Sequence, residues 1–98
     1  MVRNFRDFSL LEINFDPDKN EKNIQDRGLS FQQARNFDFE NAAFWVDDRH
    51  DYGETRYVAI GYLSGRLHVL CFTETQAGIR VISFRKANSR EVKRYEKP

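Results

Sequence analysis

RLHVLCFTETQAGIRVISFRKANSREVKRY, residues 66–95, decides the architecture of this chain. Two apolar runs, Arg66–Glu74 and 79–85, flank a four-residue connection that contains Gly78, which is the pattern of a β-hairpin. Apolar residues occur at both parities of each run: Leu67, Val69 and Cys71 against Leu70 and Phe72, then Val81 against Ile82 and Phe84. That predicts central strands buried on two sides. Yet Arg80, Ser83, Arg85 and Lys86 are threaded through the second run or follow it directly. A half-buried arginine needs an anionic partner, either a carboxylate of the fold or a bound phosphate. A helix should follow, with Asn88 as its N-cap and Glu91 closing a capping box. Glu91 and Tyr95 then lie one turn apart on one helix face, with Arg94 beside them.

Working back from this stretch, 55–63 reads as a strand joined to Arg66 by a tight Ser64-Gly65 turn. Residues 42–46 (AAFWV) form another strand, followed by the acidic loop DDRHDYGE. Glu12–Phe15 is a short strand with Ile13 and Phe15 on one face. Asp16 caps the helix after it, Pro17 takes the first helical position, and Gly28 stops it after Arg27. Ile24 is the one large apolar residue of that helix, so it is either solvated or docked on something polar. Ser30 and Gln33 form a second capping box, opening a short helix that buries Phe31, Ala34 and Phe37. Residues 1–11 keep helical spacing at Phe5, Phe8 and Leu11 and form an extra element or N-terminal extension. The order β-α-α-β-β-β-β-α implies an α+β fold, a mostly antiparallel sheet with two N-terminal helices and a C-terminal helix.

At 98 residues the chain is one domain, 1–98, and nine Phe supply the bulk of its core. A single cysteine, Cys71, rules out a disulfide framework and is compatible with a reducing, cytoplasmic setting. No signal peptide or run of about 18–20 apolar residues is present, so a membrane protein is not expected. Net charge is +1, but it is unevenly placed. Residues 79–98 carry seven Lys/Arg against Glu91 and Glu96, a balance of +5, which leaves −4 for the other 78 residues. A basic end suits a polyanion and an acidic remainder suits a basic partner, although a basic terminal helix can also be no more than solvated.

The run IRVISFRKANSREVKRY resembles the C-terminal end of the BrnT family of toxins of type II toxin–antitoxin systems, with its IR-hydrophobic-IS-x-R-x-A pattern and a helix bearing Glu and Tyr. INFDPDKNEKNIQDRGLSF is similar to the family's opening pattern, and GETRYVAIG and GRLHVLCFTE to its Gly-Glu-x-Arg and Gly-Arg-hydrophobic strands. Together they cover roughly residues 12–95. Three positions depart from the pattern: Arg27 replaces a usual His, Thr75 a usual Arg and Phe84 a common Ala. The resemblance implies a RelE-like fold and a ribonuclease that inhibits translation. It also implies a ribbon-helix-helix, BrnA-like antitoxin as partner, in a heterotetramer with an antitoxin dimer that alone touches DNA.

Metal-independent RNA cleavage needs a base for the ribose 2′-hydroxyl, cations for phosphate charge and an acid for the leaving oxygen. Strand-mounted Arg56, Arg66, Arg80 and Arg85 offer planar forks to phosphate oxygens, the alternative for each being a structural salt bridge such as Arg80 to Glu74. Arg56, Arg80, Arg85, Glu91 and Tyr95 are the candidate catalytic residues. Lys19, Arg66, Lys86 and Arg94 are the candidate RNA contacts. Glu54, Glu74 and Lys19 also stand as acid/base candidates, and His68 reads as a core or rim histidine. The cluster Asp47, Asp48, His50, Asp51 and Glu54 follows no recognised ligand pattern and reads as a solvated turn, so no metal or cofactor is expected. A non-catalytic RNA-binding or adaptor module is the alternative function.

Overall fold

The computed structural model describes residues 12–96. The chain runs through β1 (Glu12–Phe15), α1 (Pro17–Arg27), a 3₁₀ helix η1 (Phe31–Asn36), β2 (Ala43–Val46), β3 (Tyr57–Leu63), β4 (Arg66–Glu74), β5 (Gly78–Lys86) and α2 (Ser89–Glu96). One five-stranded sheet has the order β1-β5-β4-β3-β2, antiparallel except for the parallel β1–β5 pair. This is the expected α+β class with a mostly antiparallel sheet. The expectations placed on residues 1–11 lie outside the described residues.

Local chemistry explains the elements. The Asp16 carboxylate accepts from the Asp18 and Lys19 amides, and Gly28 closes α1 at φ 65°, where a side chain would be strained. α1 buries no residue and docks through asparagines instead. Asn23 Nδ2 donates to the carbonyls of Leu29 and Phe84 at 2.8 and 3.0 Å, and Asn20 Oδ1 accepts from the Phe31 amide at 2.7 Å. These bonds hold α1 alongside β5. The second helix is 3₁₀ rather than α. Ser30 Oγ accepts from the Gln32 amide, and Gln33 bonds Asn36 instead of reaching back, so no reciprocal capping box forms. Phe31, Ala34 and Phe37 are spaced by three and all are buried, which three residues per turn accommodates.

The core lies on one sheet face, called here the inner face. Phe31, Ala34, Phe37 and Phe39 from η1 and the segment after it pack on Ala59, Leu70, Phe72, Ile79, Val81 and Phe84. Edge-to-face rings bind the two layers: Phe37 on Phe84 at 6.0 Å and Phe39 on Phe72 at 6.2 Å. Each fully buried Phe contributes about 1.5–3 kcal/mol. On the other, outer face, α2 covers one end through Val92 and Tyr95, which pack on Ile60, Leu67, Val69 and Ala87.

Two expectations for the deciding stretch are corrected. β4 is buried on both faces as expected, but β5 is buried mainly on its inner face, because the outer face next to Arg80 and Ser83 is uncovered. Gly78 is not inside the connection either; it is the first residue of β5, closing the turn on Thr75 with its amide and carbonyl and paired with Glu12 of β1. A side chain there would overlap the Glu12 carbonyl and sit 2.5 Å from its nitrogen, so the glycine permits the parallel strand to approach.

Candidate active site on the outer sheet face

Arg80 and Arg85 have opposite sequence parity, and in a regular strand they would point to opposite faces. The register changes between them. Phe72 pairs with Val81 but Cys71 pairs with Ser83, which leaves Ile82 as the extra residue of a β-bulge. Arg80 therefore stands opposite Thr73 and Arg85 opposite Val69, so both arginines share the outer face with Ser83. Their backbones are separated by four residues of β4, about 13 Å. They do not converge on a single point.

Each arginine instead carries its own carboxylate. The Arg80 Nη2 lies 3.0 and 3.1 Å from the two oxygens of Glu54, which also accepts from Arg56 Nε at 3.3 Å. Arg56 in turn lies over the Tyr52 ring at 4.0 Å. Arg56 and Arg80 line a cleft of about 450 Å³ together with Lys19 and Asp16 from the start of α1. The partner of Arg80 is Glu54, not the Glu74 weighed from sequence.

Arg85 forms a two-point fork on Glu91, Nη1 to Oε1 at 2.8 Å and Nη2 to Oε2 at 2.9 Å. The expected capping box is present: the Asn88 amide donates to Glu91 Oε1, and the Glu91 amide to Asn88 Oδ1, both at 2.9 Å. Arg85 above all, with the Asn88 amide, lowers the Glu91 pKa to about 2. A carboxyl so acidic is ionised at neutral pH but accepts a proton poorly. Because its folded pKa lies below the ordinary 4.5, its contribution to stability is present above pH 4.5 and is lost as pH falls from there to about 2. Melting temperature should fall through that window, and Glu91→Gln should flatten the dependence there. An equally steep acid dependence in the variant would contradict the assignment.

The remaining candidates are spread out. Glu91, Arg94 and Tyr95 line one groove with Trp45, of about 580 Å³, but the Tyr95 hydroxyl donates to the Asn41 carbonyl at 2.6 Å and packs against Tyr62. Arg66 sits at the far end of β4, in the turn by α2, and Lys86 points to the inner side beside His68. Neither joins the Arg80–Arg85 face. His68 is 4% exposed, with Nδ1 2.7 Å from the Arg66 carbonyl, and burial lowers its pKa. That matches the core-histidine reading.

The acidic loop is organised by its own arginine and by its backbone amides. Asp47 is buried and takes a two-point fork from Arg49 at 2.8 Å, which holds its pKa at about 2. Asp51 accepts from the Gly53 amide. No group of three metal-binding side chains occurs among the described residues. No helix among them is long and apolar enough to cross a membrane.

Sequence reasoning missed a second groove of the outer face, about 420 Å³, where Trp45 and Arg49 meet Cys71, Ser83, Arg85 and Glu91. Trp45 is 49% exposed, and its parity against the core residue Phe44 was the available signal. The Cys71 thiol is pushed up by burial and stays protonated at neutral pH.

Residues 15–91 match the family described as "Ribonuclease toxin, BrnT, of type II toxin-antitoxin system". No individually curated protein matches the chain. The family match spans both arginine–carboxylate pairs, from the strand before α1 to Glu91 itself, and the chain belongs to the BrnT family of ribonuclease toxins of type II toxin–antitoxin systems.

Proposed function

We propose that this toxin cleaves RNA on the outer face of its sheet, within a RelE-like fold, by metal-independent acid/base chemistry. The observation that carries the reading is the bulge at Ile82, which turns Arg80 and Arg85 to one face, where Lys19 and Arg56 line a cleft with Arg80. Arg80, Arg56 and Lys19 bind the phosphate charge that builds up in the transition state. Glu54, held between Arg56 and Arg80, takes the 2′-hydroxyl proton as that oxygen bonds to phosphorus. The P–O5′ bond breaks with Lys19 giving its proton to the departing 5′-oxygen, which leaves a 2′,3′-cyclic phosphate. Glu91 orients Arg85, which binds a neighbouring phosphate, and Arg94 extends that contact. Tyr95 docks α2. Tyr95→Phe should keep cleavage within a few-fold while losing one hydrogen bond, about 1 kcal/mol or 4–8 °C in melting temperature. Loss of cleavage without a change in melting would give Tyr95 a chemical role instead.

The free protein should arrest growth by blocking translation in the cytoplasm and digest RNA in EDTA. Activity abolished by EDTA and restored by Mg²⁺ or Zn²⁺ would sink the metal-free mechanism. The family implies an antitoxin. A ribbon-helix-helix, BrnA-like dimer joined to toxin in a heterotetramer suits the acidic remainder of the chain, with DNA bound through the antitoxin alone. Specific operator binding by the isolated toxin would contradict that division. A second reading, RNA binding without cleavage, draws on one observation: Arg56, Arg80 and Arg85 are already paired to carboxylates.

A further inference from the structure

β1 flanks β5 only as far as Val81. Beyond it the outer edge of β5 faces α1, held there by the bond from Asn23 to the Phe84 carbonyl. At this edge neighbouring residues diverge: Arg85 projects to the outer face, and Lys86, paired with His68, projects to the inner side. There Lys86, Arg27, Gly28, Leu29 and His68 line a cleft of about 300 Å³.

The cleft differs from the outer-face grooves in its charge. No carboxylate lines it, and no salt bridge among the described residues involves Arg27 or Lys86. Its wall is a buried, neutral histidine whose Nδ1–H donates to the Arg66 carbonyl, so its Nε2 is an acceptor and the phosphate-binding charge comes from Arg27 and Lys86 alone. Two uncompensated cations over a polar wall make an anion site. It lies one residue along β5 from Arg85, at the last residue of the strand, so RNA that leaves the outer face past the end of β5 meets it next.

We propose that the Arg27–Lys86–His68 cleft binds a backbone phosphate of single-stranded RNA, as a subsite separate from the outer face. The inference rests on the RNA-cleaving reading above. Arg27 and Lys86 hold the phosphate oxygens, where β5 ends beside the C-terminus of α1.

The test measures binding of a 2′-O-methyl oligoribonucleotide, which has no 2′-hydroxyl and is not cleaved, by anisotropy across a salt series. The Arg27→Ala/Lys86→Ala double variant should bind about five- to tenfold more weakly. Its slope of log affinity against log salt should be shallower by about 0.7 for each phosphate that is no longer neutralised. Arg27→Lys/Lys86→Arg should retain binding. Both side chains are exposed, so circular dichroism should show an unchanged fold. An unchanged slope and affinity in the folded double variant would overturn the site. The His68 imidazole signals should shift on adding the oligonucleotide and not with inorganic phosphate at the same concentration. A shift with inorganic phosphate alone would make this a small-anion site and overturn the RNA assignment. Digestion of unmodified RNA by the wild type separates the two readings. Cleavage with an unaltered salt slope removes only this subsite, whereas the altered slope without any cleavage keeps the subsite and removes the nuclease.

Discussion

Arg80→Ala should leave a folded protein that cleaves RNA about 100- to 1,000-fold more slowly, a loss of about 2.7–4 kcal/mol of transition-state stabilisation. Folding should hardly notice the change. The Arg80 side chain is 46% exposed and its bond to Glu54 is a solvent-screened pair, worth about 0–1 kcal/mol. Glu54 keeps Arg56 as a partner in the variant. Single-turnover cleavage and thermal melting should therefore separate: a large fall in rate, a shift of a few degrees at most. A variant that cleaves at the wild-type rate would remove Arg80 from the chemistry. Arg85→Ala is less clean, because it also strips the fork from Glu91 and loosens the start of α2.

The second large effect falls on stability. Gly78→Ala should cost about 2–3 kcal/mol, the upper part of the usual range for overpacking, because the new methyl meets three backbone atoms of Glu12 and none can rotate away. For a domain of this size that lowers the melting temperature by about 10–20 °C. Amide exchange should locate the damage in β1 and the start of β5, whose pairs run from Glu12–Gly78 to Phe15–Val81. If the variant melted like the wild type, β1 would not be packed against β5 at this register.

The two predictions mark what could and could not be read in the residues. The element order was legible because each boundary carries a local signal: Asp16-Pro17 and Gly28 around α1, Ser64-Gly65 between β3 and β4, Asn88 and Glu91 at α2. Polar docking of α1 was one of two options left by its composition, and Asn20 and Asn23 decide it through groups that are distant in sequence. Gly78 looked like a turn residue because a lone glycine between two strands usually is one. Its actual reason is a strand that arrives from residue 12. For the candidate site, the Arg and Glu residues could be named as candidates from the sequence, but their pairing could not. Glu54 and Arg80 are 26 residues apart, and the bulge that faces Arg80 and Arg85 the same way leaves no composition signature. Lys86 and Arg66 were grouped with them by charge alone, and strand parity and position then separated them.

On the proposed reading, RNA lies on the outer face across Arg80 and Arg85. Backbone amide shifts on titration with the 2′-O-methyl oligoribonucleotide test it most directly. Saturable shifts are expected at Arg56, Arg80, Ser83 and Arg85 and at Lys19, with those of Phe31–Asn36 unmoved. Shifts that track η1 and the acidic loop, with the amides around Arg80 and Arg85 unchanged, would contradict it.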